Sequence, residues 1–211
     1  MLTERGRRNV PGAVLLAAGV LATARASADT GSCEAAIAQQ TAKHAQTVVR
    51  ALERCEALVR AGGLAAATDC VADPGTSAAL ALAARARAKI ARQCCGADDQ
   101  CGTLDDPPLA MIGWAATQCP DFASGPCTTP VTDADGVGRC TTCVAAASID
   151  RFREIVYDRF GAAPPGSQLA GCQLAIAKGG ARFVATRAKL LAKCWSGRTL
   201  GVHQNACPDP G

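Results

Sequence analysis

Cys140-Thr141-Thr142-Cys143 is the arrangement in this chain that comes nearest to a reactive site. Two cysteines separated by two residues, read at the start of a helix, would have their thiol pKa lowered by the helix N-terminus, as thiol–disulfide exchange requires. Such sites sit in a strand–helix context, and no alternation of strands and helices is legible here. Val144 stands where a covalent haem site needs histidine. The plainer reading makes Cys140 and Cys143 scaffold cysteines, with redox exchange as the alternative. Asp133-Ala134-Asp135-Gly136-Val137-Gly138 resembles the inner part of a calcium loop. The flanking oxygen ligands are missing at Val131 and Arg139, so Asp133 and Asp135 read as turn residues. Asp98-Asp99 and Asp105-Asp106 read in the same way, as solvated acids in turns. Of the two histidines, His203 lies in a loop with no evident nucleophile, and His44 reads as a packing residue of a helix. No G-x-S-x-G, H-E-x-x-H or phosphate-binding loop occurs, so no catalytic residue, resident metal or cofactor is assigned. The basic run Arg85, Arg87, Lys89 and Arg92 lacks interleaved aromatics and reads as a solvated helix face rather than a nucleic-acid surface.

The thirteen cysteines outweigh any of these motifs. All of them follow a segment built like an export signal. Arg5, Arg7 and Arg8 form a basic start, an apolar run covers residues 10–24, and Ala26-Ser27-Ala28 supplies a small-x-small cleavage pattern. The run is too short and too rich in Ala and Gly for a transmembrane span. Thr30-Gly31-Ser32 ahead of Cys33 lacks the aliphatic residue of a lipoprotein anchor, and Arg7-Arg8 matches a twin-arginine signal only as a pair. Export to the periplasm, cell surface or extracellular space is the expectation, and there a high cysteine density reads as a disulfide framework. Thirteen is odd, so at least one thiol lacks a partner within the chain.

Charge and composition narrow the function classes. The formal balance of +4 comes from 22 basic and 18 acidic residues. Removal of residues 1–28 leaves 18 basic against 17 acidic, a balance expected to leave no strong field that would attract nucleic acid or an anionic membrane. No nucleic-acid partner and no stable membrane insertion of the mature chain are expected. Seven aromatic residues in the whole chain make a thin core, and alanine-rich helices with little to bury need covalent staples.

The elements that must position the cysteines are visible as an internal repeat. CEAAIAQQTAKHAQTVVRALERC begins at Cys33 and ends at Cys55. CQLAIAKGGARFVATRAKLLAKC begins at Cys172 and ends at Cys194. Ungapped, Ala36, Ile37, Ala38, Ala42, Thr47 and Leu52 recur as Ala175, Ile176, Ala177, Ala181, Thr186 and Leu191. Lys43, Arg50 and Arg54 are matched by the basic residues Arg182, Lys189 and Lys193. Neither copy holds proline, and both are rich in helix formers. Cysteines twenty-two positions apart are separated by six helical turns and about 40°, so both sulfurs of a copy share one face. Ile37, Val48 and Leu52 share that face in the first copy, and Ile176, Phe183, Leu190 and Leu191 in the second. Because His44 aligns with Phe183, both are expected in the core.

In the first copy the neighbour can be identified. The helix is expected to stop at Gly62-Gly63, and Asp73-Pro74 to cap a return helix over residues 74–93. Antiparallel packing then places Cys33 beside Cys94 or Cys95, and Cys55 beside Cys70. In the second copy Cys194 is expected to pair with Cys207. The sequence ends at C-P-D-P-G, which echoes the start of the first return helix, so Cys172 is the expected unpaired cysteine. It could join a disulfide-linked dimer, or be captured by Cys140 or Cys143. Between the copies, Cys101, Cys119 and Cys127 read as scaffold in a turn-rich segment with a short helix near residues 109–117. A further helix is expected over residues 143–160, with Ile149, Phe152, Ile155, Val156 and Phe160 as its core face.

The C…IAK…A…KC helix, the C-x-D-P-G start of a return helix and the CCGADDQCG / GW / CP segment resemble exported, cysteine-rich, helical-repeat proteins of bacteria. That resemblance implies export and repeated helical hairpins, and it implies no activity. The resulting expectation is an all-α, disulfide-stapled helical hairpin repeat of four long helices with a turn-rich, cysteine-rich central segment. Its divisions are a signal peptide (1–28), a first hairpin (29–96), a cysteine-rich loop segment (97–142), and a central helix plus truncated second repeat (143–211). Its leading function is a structural or binding module for an unknown protein or apolar ligand. The alternatives are a thiol–disulfide oxidoreductase using Cys140 and Cys143, and a carrier of apolar ligands or lipid.

Overall fold

The computed structural model of the chain describes residues 29–120, 125, 127–157 and 163–207. The signal segment, Phe122, Phe160 and the residues after Cys207 lie outside the described residues. The fold is all-α, and the only strand-like feature among the described residues is an isolated antiparallel bridge between Gln118 and Pro130.

Helix α1 (Thr30–Arg60) begins at Asp29, whose carboxylate accepts from the Ser32 amide at 3.1 Å and satisfies one of the free donors of the first turn. It ends just before the Gly62-Gly63 turn, where the Gly63 amide donates back to Leu58 at 2.8 Å. The return arm starts at Pro74, with Asp73 as its cap at 2.8 Å from the Gly75 amide. This arm is not one helix. It breaks at Leu82 into α2 (Pro74–Ala81) and α3 (Ala83–Cys94). There the ladder slips from i−4 to i−3 pairing, with the Leu82 amide donating to Ala79 at 3.2 Å. Neither Pro nor Gly stands at the break, so no local residue signals it.

The short helix expected near residues 109–117 is a 3-10 turn, Leu109–Ile112. Gly113 ends it in a left-handed conformation (φ 71), and the Trp114 amide donates to Leu109 at 2.9 Å. Helix α4 (Ala134–Val156) begins well before residue 143, because Asp133 is its cap, accepting from the Gly136 amide at 2.7 Å. Its inner face carries Ile149 and Val156, and Phe152 is half-buried, but Ile155 is 50% exposed and does not belong to the core. Helix α5 (Gln168–Thr199) begins at Ser167, which caps the Ala170 amide.

α1 is the central rod, with α2, α3, α4 and α5 all packed on it. α5 runs antiparallel to it. Thr199 at the end of α5 donates to Glu34 near the start of α1 at 2.8 Å, and Pro165, just before α5, lies against Gly62. Val48, Val49, Leu52, Cys55 and Val59 of α1 form the main core with Ile149 of α4 and Ala181 of α5.

α5 contributes little more than alanine to this core: Ala170, Ala177, Ala181 and Ala192 are buried, while Ile176, Phe183 and Leu190 are exposed. The expectation that these large residues form the buried stripe of the second copy is therefore corrected. α5 has one main neighbour, and its small face allows the closest approach to α1.

Six disulfides hold this arrangement: Cys33–Cys94, Cys55–Cys70, Cys95–Cys101, Cys119–Cys140, Cys127–Cys143 and Cys194–Cys207. Such a set belongs to an oxidising environment. Cys172 is the free cysteine among the described residues, and it is exposed.

Candidate functional site

The sequence motifs turn out to be structural. Cys140 and Cys143 lie inside α4 rather than at its start, two turns beyond the N-terminal amides whose field would acidify a thiol. They are not bridged to each other. Each is tied to the preceding loop, Cys140 to Cys119 and Cys143 to Cys127, so neither is available as a thiol for exchange and neither captures Cys172. Asp133 is the α4 cap, and Asp135 pairs with Arg139 at 2.8 Å, one helical turn along. Both acids of the supposed calcium loop are thus engaged in starting a helix. Asp105 and Asp106 fold the cysteine-rich loop. Asp105 accepts from the Ala97 amide at 3.0 Å, and Asp106 from the Gly102 and Thr103 amides at 2.5 and 3.0 Å. Asp98 similarly accepts from the Gln100 amide at 2.9 Å.

His44 is buried, and burial lowers its pKa below the ordinary 6.5. Its aligned partner Phe183 is not buried with it, being 62% exposed. Around His44 stand Lys43, Arg85 and Lys89 from α1 and α3, which suits a neutral imidazole. Arg85, Lys89 and Arg92 are exposed, and Arg87 is half-buried against Gly138 of α4.

A large concavity lies elsewhere, between the middle of α1, the C-terminal third of α5 and the loop that follows α5. It is a cleft of about 820 Å³. α1 supplies Gln39, Ala42, Lys43, Gln46 and Arg50. α5 supplies Lys189, Leu190, Ala192, Lys193, Ser196 and Gly197, and the loop adds Val202, His203 and Asn205. Four cations line it and, among the described residues, no carboxylate does. Leu190, Ala192, Val202 and Ala42 make an apolar wall beside them.

Two buried polar atoms of the lining residues, Ser196 Oγ and His203 Nδ1, have no hydrogen-bond partner among the described residues. Buried donors and acceptors are normally satisfied, so these two call for a partner such as an ordered water. His203 reaches the cleft because the chain reverses directly after α5, with the Val202 amide donating to Gly197 at 2.8 Å. The absence of a side chain at Gly197 is required there, since a Cβ would fall 2.8 Å from His203 Nε2. Cys194–Cys207 then pins the loop. Ligand atoms of Cys194, His203 and Cys207 lie within 4.8 Å of one another, but both sulfurs are spent on the disulfide and offer no thiolate.

A smaller cavity of about 330 Å³ sits at the other end of α1, among Glu56, Arg60, Arg153 and Tyr157. Arg60 donates to the Tyr157 carbonyl at 3.3 Å and its guanidinium lies 5.8 Å from the ring centroid. Burial, with Glu56 and Glu53 nearby, pushes the Tyr157 phenol upward, so it stays neutral. This cavity ties α1 to the end of α4.

Apart from Cys194, read as a scaffold cysteine, and His203, read as a loop residue, none of the cleft residues was singled out as a site from sequence. A signal did exist in the repeat. Arg50 and Lys189 are equivalent basic positions of the two copies, and antiparallel packing of α5 on α1 brings both onto one cleft. Ser196 and Gly197 carried no comparable signal. No protein-family model, curated protein or solved structure matches the chain.

Proposed function

We propose that the chain is an exported, disulfide-stapled helical binding module, and that its cleft takes a small amphipathic anion. The observation that carries this reading is the charge of the cleft: Lys43, Arg50, Lys189 and Lys193 line it, with no acid among the described lining residues. An anionic head group would be drawn to these cations. Its apolar portion would lie along Leu190 and Val202. A volume of about 820 Å³ falls within the range of small-molecule sites. The disulfide framework and the export signal read at the N-terminus support a place outside the reducing cytosol. Compared with a carrier of purely apolar ligands, this reading gives the four cations a role.

Calorimetric titration with dodecanoate and with dodecyltrimethylammonium tests it. Dodecanoate is expected to bind one to one, and the cationic detergent not to bind. Arg50→Glu should weaken dodecanoate binding by about tenfold or more, since it places a repulsive charge in the cleft. Equal binding of both detergents, or no binding of dodecanoate, refutes the proposal.

A further inference from the structure

Helix α5 has three faces. At about 100° per residue, Ala170, Ala177, Ala181 and Ala192 share one face, which is buried against the rest of the protein. Leu169, Ile176, Phe183 and Leu190 recur every seven residues and form a second face about 120° round the helix. They are 55%, 45%, 62% and 60% exposed. Lys178, Arg182, Lys189 and Lys193 form a third face about 120° in the other direction. The helix carries six basic residues and no acid. All six are exposed, and none has an ion-pair partner among the described residues. Outside α5, residues 29–211 hold twelve basic and seventeen acidic residues, so the near-even balance of the chain hides a strongly basic helix on an acidic body.

We propose that the outer side of α5 docks on an anionic lipid bilayer. The helix lies in the interfacial plane, with Leu169, Ile176, Phe183 and Leu190 entering the head-group and acyl boundary. The lysine and arginine side chains reach from their flexible stems to the lipid phosphates. Charge selects this occupant over a second copy of the chain. Pairing two α5 faces through Cys172 would set six cations beside six cations, whereas an anionic leaflet neutralises them. Arg187 already lies over the Phe183 ring at 5.9 Å from its centroid, which holds a cation and an aromatic ring at one depth, as interfacial helices do. The acidic body orients the contact. Asp98, Asp99, Asp105, Asp106, Asp133 and Asp135 belong to a stretch, residues 96–138, that contains no lysine or arginine and is repelled by the same leaflet. The membrane face shares Lys189, Leu190 and Lys193 with the cleft, but Leu169, Ile176 and Phe183 do not line it, so the two readings are tested at different residues.

The test is co-sedimentation of the full disulfide-bonded protein with vesicles of phosphatidylcholine alone and of an equimolar phosphatidylcholine–phosphatidylglycerol mixture. Binding is expected to the mixed vesicles only, and to weaken as salt is raised. Ile176→Asp and Phe183→Asp should each lower the partition coefficient by about tenfold or more. Ile155→Asp, at an equally exposed apolar position on α4, should leave it unchanged. All three sites are exposed, and circular dichroism with an intact-mass count of disulfides verifies that the variants fold. Equal binding to both vesicle types, no binding to either, or no effect of the α5 variants overturns the proposal. So does a solution dimer that Phe183→Asp dissociates, since that outcome assigns the face to a second copy. Retention of dodecanoate binding by Phe183→Asp, and of vesicle binding by Arg50→Glu, keeps this reading separable from that of the cleft.

Discussion

α1 and α5 carry the same cysteine spacing and aligned basic residues over nearly equal lengths, 31 and 32 residues, yet they are packed inside out relative to one another. α1 is surrounded and buries its large side chains: Val48, Val49 and Leu52 are at most 3% exposed. α5 has one main neighbour, buries alanine, and leaves Ile176, Phe183 and Leu190 at the surface. The same contrast separates Cys33, buried and bridged to Cys94, from Cys172, exposed and free. An apolar stripe is a necessary condition for burial, but the number and shape of the neighbours decide which face is used.

The largest test of this contrast is truncation of one large residue on each helix. Leu52→Ala should destabilise the protein by about 3 kcal/mol, because it opens a cavity in the main core. Phe183→Ala should cost no more than about 0.5 kcal/mol, because the ring is exposed and lies against the Arg187 guanidinium of its own helix. Urea unfolding at fixed protein concentration measures both. Comparable losses would show that the outer face of α5 is covered after all.

His44 sharpens the comparison through pH. Its folded pKa lies below the unfolded 6.5, so between the two values the unfolded chain holds the extra proton. Stability is therefore expected to fall as the pH drops below about 6.5, with a contribution of at most about 1.4 kcal/mol per pH unit. The loss should level off below the folded pKa. The difference in urea midpoint between wild type and His44→Phe, followed from neutral pH downward, isolates this component. A pH-independent difference would place His44 in water, like its aligned partner Phe183.

The smallest effect is the most local. Gly179 and Gly180 are adjacent in α5, but a Cβ at Gly179 meets nothing within 4 Å, whereas one at Gly180 would lie 2.7 Å from the Phe152 ring. Gly179→Ala should stabilise by up to about 1 kcal/mol through helix propensity alone. Gly180→Ala should lose that gain to overpacking and come out destabilising by about 1 kcal/mol. Thermal or urea unfolding of the two variants should therefore give shifts of opposite sign. Shifts of the same sign would mean that α4 and α5 do not meet at this point.

Much of the scaffold was legible because its causes are local or covalent. Asp73-Pro74 starts a helix wherever it stands, the Gly62-Gly63 turn can only end one, and twenty-two-residue cysteine spacing on a helix limits which partners are within reach. The end of α1, the start of the return arm and the pairing of Cys55 with Cys70 follow from such features. The start of α4 was misplaced although its signal was present, because Asp133 was weighed as a cation ligand and not as a cap. The break at Leu82 has no local signal at all.

By itself, then, the sequence determined the helical class, the hairpin around residues 62–73 and the staples Cys55–Cys70 and Cys194–Cys207. All of these depend on residues near one another in the chain or on the few partners a short loop permits. Only the tertiary structure decided that α5 lies antiparallel on α1 by its alanine face. From that one packing choice follow the exposed row from Leu169 to Leu190 and the meeting of Arg50 with Lys189 at a common cleft. Such a choice depends on which surfaces approach most closely across more than a hundred residues of chain, a comparison of whole faces that no local pattern contains.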